Sequence, residues 1–281
     1  MAINGNVQLG ATKADIISGI VQKELKFAAK LLPMVTDYSA LAVKGAKSVS
    51  ILKASSFVVE NRASAVAGTQ QLNPMSAEKL DLDINAYISW IVDSVDEYQS
   101  NANVQQVYAT RAAQAHARYV DQKIAETLQA SAGYLTAGPI DKDKILDMRE
   151  FLKKNYAGQD LTLVVSPSQE KSMLKINEFV QAQIYGSANI PNGIIGKVFG
   201  VNVLVHEGLE TVDIPSKAFM FSKEAIAFAF QMNPNYAEMQ AIDYGTKAMK
   251  VAIDQLFGLM ATQKGELGLG AGLSPFIAAL S

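Results

Sequence analysis

The chain has 281 residues, of which 49% are hydrophobic, and carries a formal net charge of −2 with a pI near 5.8. That balance argues against a protein whose main work is gripping nucleic-acid phosphates, which takes a basic excess. The absence of cysteine excludes disulfides, thiolate zinc sites, iron–sulfur clusters and a cysteine nucleophile, and no apolar run approaches the roughly 18 residues of a membrane-spanning helix.

In chain order, residues 1–11 read as a loose arm, without the basic-then-apolar shape of a signal peptide. Thr12 as N-cap with Asp15 three residues on predicts a helix, apolar along Ile16, Ile20, Phe27 and Leu31 and ended by Pro33. SVSILKASSFVVE (48–60) reads as strand. NRASAVAGTQQLNPMSAEK (61–79) has no periodic apolar face and reads as an extended, exposed loop. LDLDINAYISWIVD (80–93) alternates from Leu80 to Val92, with Trp90 on the apolar side and Asp81 and Asp83 on the polar one. The alternation predicts one half-buried strand more than twice the usual length of about five or six residues. A helix of about thirty residues follows, with Val104, Val107, Tyr108, Ala112, Ala115, Tyr119, Ile124 and Leu128 facing in and Gly133 closing it.

The style changes from Pro139. Asp141 caps a helix with Ile145, Met148, Leu152 and Tyr156 inward, and LTLVV (161–165) is apolar enough to be a strand buried on both faces. Ser166-Pro167-Ser168-Gln169 has the form of a capping box opening another helix. IPNGIIGKVFGVNVLVHEGL reads as a glycine-broken strand or hairpin. AFMFS, AIAFAFQM and AEMQAID read as short strands; residues 247–262 fit alternation with one slip and also fit a helix, and the DYG turn before them with Val251, Ile253 and Phe257 on odd positions favours a strand. The tail GELGLGAGLSPFIAALS reads as extended. The order of elements suggests an α/β domain, about residues 134–222, inserted into an elongated one.

Signatures of catalysis are sparse. The two histidines are His116, mid-helix among alanines and arginines, and His206, at a strand end near Glu207 and Glu210. The latter group could hold a metal or serve a hydrolase, but a surface histidine at a strand end is the simpler reading. There is no HExxH, no GxSxG, no P-loop spacing around NGIIGK, and only GxGxG at Gly268, Gly270 and Gly272. Asp81, Asp83, Asp93, Asp96 and Glu97 make an acidic cluster that reads as a solvated face or as partners for basic residues of another chain. A long strand, an exposed loop and an arm on a chain of this size leave edges that neighbouring copies would have to cover.

The stretch LDLDINAYISWIVDSVDEYQSNANVQQVYATRAAQAHARYVDQKIAETL (80–128) resembles the long strand, acidic turn and spine helix of the major capsid proteins of tailed bacteriophages, the HK97-like fold. SVSILKASSFVVENRASAVAGTQQLNPMSAEK resembles their extended loop, a two-stranded arm lying over the adjacent subunit. LTLVVSPSQEKSML with IPNGIIGKVFGVNVLVHEGL resembles their axial domain.

The resemblance implies an α+β fold with an N-terminal arm (1–34) and an extended loop (48–79). A peripheral domain (80–133 and 223–281) would carry the spine helix and long β-strands, with the axial domain (134–222) inserted. It implies a structural, non-enzymatic protein without a cofactor or metal. Such proteins self-assemble into hexamers and pentamers of an icosahedral shell around double-stranded DNA bound without sequence specificity. A scaffolding protein encoded separately, a portal and a cement protein are the expected partners, the host cytoplasm the place of assembly and the virion the destination. Glu60, Arg62, Lys79, Asp81, Asp83, Asp96, Arg111 and Arg118 are the candidate inter-subunit contacts. Some relatives crosslink a Lys to an Asn of a neighbour; Lys53 or Lys79 would be the lysine here, although an ordinary solvated lysine accounts for either. An encapsulin-like shell around protein cargo, or an α/β hydrolase using His206, Glu207 and Glu210, are the alternatives.

Overall fold

The computed structural model describes residues 29–54, 59, 61, 75–92, 104–155, 157–158, 160–176, 194–209, 217–241, 248–263, 269 and 272–281. The expected helix from Thr12, Tyr156 and most of the loop at 61–74 lie outside them.

The first sheet has four strands in the order β1 (Thr36–Asp37), β10 (Ile226–Gln240), β11 (Met249–Ala261) and β4 (Ile84–Val92). Strands β10 and β11 pair antiparallel along nearly their whole length, with irregularities between Phe230 and Asn235. Pro234 falls within that irregular stretch, where a residue without an N–H removes no ladder bond. AIAFAFQM and AEMQAID, expected as separate strands, are therefore one strand of 15 residues. Residues 249–261 form the expected strand, with Val251, Ile253 and Phe257 fully buried.

Helix α1 (Val104–Ala130) lies across one face of this sheet, against β11 and β4. Its inner face is Ala109, Ala112, Ala113, His116, Ala117, Val120, Asp121, Ile124, Ala125 and Leu128. Short alanine side chains let the helix approach Val251, Ile253, Ile88 and Trp90 closely. Val107, Tyr108 and Ala115, expected inward, face solvent. The helix ends at Ala130, not at Gly133, which belongs to strand β5 (Ala132–Thr136). A Cβ on Gly133 would overlap the Ser274 carbonyl oxygen, so its glycine is there for close strand approach.

The expected single strand over 80–93 is two. Strand β3 (Met75–Asp81) pairs with β2 (Ser48–Ala54) as a separate hairpin, Leu82 and Asp83 turn the corner, and β4 continues in the four-stranded sheet. Residues 75–79, expected as loop, are thus strand. Val49, Leu80 and Leu82 pack on Ala227 and Ala229, the face of β10 opposite to Phe228 and Phe230. The sheet is therefore covered on both faces where the hairpin begins.

The second sheet has six strands in the order β5-β12-β9-β6-β8-β7. Its members besides β5 are β6 (Leu161–Val165), β7 (Ile194–Val198), β8 (Val201–Val205), β9 (Ala218–Ser222) and β12 (Ser274–Leu280). β6 is buried along its whole length, as its sequence predicts. β7 and β8 form the hairpin, turning through Phe199 (φ 49°) and Gly200 (φ 77°), left-handed angles that match strand twist. Helix α2 (Lys142–Lys154) buries Ile145, Met148 and Leu152 against this sheet, and the Asp141 side chain accepts from Lys144 N as its cap. In helix α3 (Pro167–Met173) the Ser166 hydroxyl accepts from Gln169 N, but Gln169 Oε1 accepts from Ile140 N instead of closing a capping box.

Residues 274–280 of the C-terminal stretch are extended, as expected, in strand β12. All of β12 is buried, pairing parallel with β5 and antiparallel with β9. Residues 274–280, expected with the peripheral strands, thus complete the sheet of the 134–222 segment.

Candidate assembly surfaces and the Asp121 junction

Of the candidate contact residues, Glu60, Arg62 and Asp96 lie outside the described residues, as do Glu210 and the side chain of Lys53. Lys79, Asp81, Asp83, Arg111 and Arg118 are all exposed, and none forms an ion pair among the described residues. The fold separates the two acids from the two arginines. Lys79 and Asp81 alternate with buried Leu80 and so face away from the sheet on the hairpin side, with Asp83 at the corner. Arg111 and Arg118 stand on the outward face of α1, seven residues and hence about 10.5 Å apart, across the four-stranded sheet from the hairpin root. A single copy does not bring the acids and the arginines together.

Among the described residues β4 is an edge strand, hydrogen-bonded to β11 on one side. Its outward residues are Asn85, Tyr87, Ser89 and Ile91. Over nine residues it has no charge, proline or glycine, the devices that normally protect an edge. Ile91 stands beside Lys250, and Lys250 beside Met239, with Ile91 40% and Met239 70% exposed. On the hairpin Leu52 is also 70% exposed.

Two groups of buried polar residues involve helix α1. Asp121, 2% exposed on α1, accepts from Lys30 N at 2.8 Å and Leu31 N at 3.1 Å, and lies 3.1 Å from His206 Nε2. His206 Nδ1 accepts from Gly208 N at 3.0 Å. The junction ties three parts of the chain: the segment entering at Lys30, helix α1 and the end of β8. His206 is therefore buried, not a surface histidine. Both ring nitrogens are engaged, while Glu207 points outward and lies 3.7 Å from Lys30 Nζ. Asp121 escaped sequence reasoning, because an Asp among Gln and Lys on a helix reads as a solvated charge and its partners lie 85 to 91 positions away.

The second group is His116, 1% exposed, beside the fully buried Gln255 of β11. Neither side chain meets a partner in good hydrogen-bonding geometry. Burial lowers the His116 pKa from its ordinary 6.5, opposed by the nearby Ile253 backbone, Asp254 and Gln255. Among the described residues no cluster of His, Asp and Glu has the makings of a metal site.

The family model described as phage capsid protein matches residues 28–253, most of the chain. The chain belongs to the phage capsid protein family. Solved capsid structures share its fold at low identity. One from Mycobacterium phage Che8 is 17% identical, with a TM-score of 0.66 over 89% of this chain and 90% of the other. The capsid of cyanophage P-SCSP1u is 12% identical, with a TM-score of 0.64 over 88% and 86%. The capsid of the native GTA particle is 11% identical, with a TM-score of 0.62 over 90% and 89%. No match was found among curated proteins. The capsid protein thus has the HK97-like α+β fold of tailed-phage major capsid proteins.

Proposed function

We propose that this capsid protein self-assembles into hexamers and pentamers that close an icosahedral shell around double-stranded DNA. The observation that carries the proposal is the unprotected β4 edge with exposed Tyr87 and Ile91 beside it. Such an edge recruits further chains unless it is covered, and closed symmetry is the usual way to cover identical edges.

Contacts between copies join the acidic hairpin root, Asp81 and Asp83, to the arginine ridge of α1, Arg111 and Arg118, with Lys79 beside the acids. Glu60, Arg62 and Asp96 act with them on the sequence argument alone. Each pair contributes little, and shell stability comes from their sum. The arm is residues 1–34 and the extended loop 48–79. The spine helix with the four-stranded sheet is the peripheral domain, and the six-stranded sheet is the axial domain, with residues 274–280 joined to it. Scaffolding, portal and cement proteins are the partners, the host cytoplasm the place of assembly, and the DNA is held without sequence specificity. The test is electron microscopy of the purified chain and of the chain co-expressed with its neighbouring gene products. Shells containing DNA support the full reading, shells filled with protein cargo replace the DNA, and a chain that stays monomeric throughout rejects it.

A further inference from the structure

We infer that Asp121 and His206 form a proton-operated clasp: protonating His206 releases the 206–208 turn while the chain at Lys30–Leu31 stays anchored. The argument starts from the tautomer. Gly208 N–H can only donate, so His206 Nδ1, 3.0 Å away, is an acceptor and carries no proton. The ring proton is on Nε2, which donates to Asp121 Oδ2 at 3.1 Å. Asp121 uses both oxygens to accept from Lys30 N and Leu31 N as well. The turn lies flat on the ring, since a Cβ on Gly208 would sit 2.8 Å from His206 Cε1.

Adding a proton has opposite effects at the two ring nitrogens. At Nε2 the bond to Asp121 becomes an ion pair and strengthens. At Nδ1 the new N–H meets the Gly208 N–H, two donors with no acceptor between them, and the turn must rotate away. Among the described residues the charged groups around the imidazole are Asp121, in direct contact, and Arg118, Lys30 and Glu207, which line the same open pocket. Acidity is thereby coupled to the end of β8 without loosening the entry of the N-terminal segment. The device belongs to the single chain and does not depend on shell formation.

The experiment uses the purified full chain, labelled with 15N-histidine, at about pH 7.5 and about pH 5. With two histidines in the sequence, His206→Gln assigns the spectrum. At neutral pH the His206 shifts should be those of the Nε2–H tautomer. Amide hydrogen exchange, corrected for intrinsic rates, should show Gly208 losing roughly three- to tenfold of its protection on acidification, the scale of one hydrogen bond. Lys30 and Leu31 should keep theirs, and His206→Gln should abolish the pH effect at Gly208. The Nδ1–H tautomer, an unchanged Gly208, or equal loss at Lys30 and Gly208 would each overturn the clasp.

Discussion

Gly258 of β11 lies directly beneath the carbonyl oxygen of Asp81, so close that a Cβ at Gly258 would overlap it. The chain crosses the sheet there, leaving the β2–β3 hairpin and entering β4. Gly258 is thus the point on which the root of the projecting hairpin rests.

Substituting Gly258→Ala should force the corner at Asp81–Leu82 outward and destabilise the chain by about 1–3 kcal/mol, as overpacking does. Gly158→Ala has nothing within 4 Å of its new methyl group and should change stability by less than about 0.5 kcal/mol. Urea denaturation of the two variants checks the contrast. Equal midpoints would show that the corner yields without cost.

Asp121→Ala should leave the buried N–H groups of Lys30 and Leu31 and the Nε2–H of His206 without an acceptor. The expected loss is about 3 kcal/mol or more, since each buried orphan costs roughly 1–3 kcal/mol. Asp121→Asn retains one acceptor oxygen and should lose less. A calorimetric melt of both variants orders them, and the order Ala below Asn below wild type is the expected result.

His116 should make the fold sensitive to acid. Desolvation holds its folded pKa below the ordinary 6.5, so the unfolded chain takes up a proton first as pH falls. The contribution is complete above about pH 6.5 and is lost as the pH falls below it towards the depressed folded value. His116→Met removes the titrating group while filling similar space beside Val251 and Ile253. Urea midpoints at about pH 7.5 and about pH 5.5 should fall less on acidification in the variant than in the wild type. Parallel falls would place the acid sensitivity elsewhere.

Ile91→Lys should leave the folded chain intact, because Ile91 is 40% exposed on the outer face of an edge strand. A lysine there is the protective device that the natural edge lacks, and it stands beside Lys250. Sedimentation velocity should show assembly reduced, with an unchanged circular-dichroism melt. Full assembly of the variant would remove this edge from the contact surface.

Local signals in the sequence were sufficient where local physics decides. The Asp141 cap, the buried run of β6, the turn before β8 and the alternation of β11 all appear where their residues predict. Errors arose where the partner, not the pattern, sets the outcome. Alternation runs from Leu80 to Val92, with Ile91 the one strong exception, because each even residue is covered, yet Leu80 faces Ala227 and Ala229 while Trp90 faces α1. Period-2 patterning reports that a side is covered and is silent on what covers it. Gly133 reads locally as a helix stop, but its reason is β12, which arrives about 140 residues later. The long helix is legible and Ala112, Ile124 and Leu128 lie inward as the spacing predicts, but Val107, Tyr108 and Ala115 face solvent while Ala109, Ala113 and Ala117 take inner positions. Small residues permit close approach and carry little hydrophobic signal of their own. Of the candidate contacts, the sequence identified exposed charges correctly at Lys79, Asp81, Asp83, Arg111 and Arg118. The Asp121–His206 junction was beyond it, since only the fold brings α1 against the end of β8.

Negative-stain electron microscopy of the expressed protein, alone and with its neighbouring gene products, tests the central claim most directly. Shells or ring-shaped capsomers of five and six copies are the predicted result. A well-folded monomer that never assembles under either condition would contradict it.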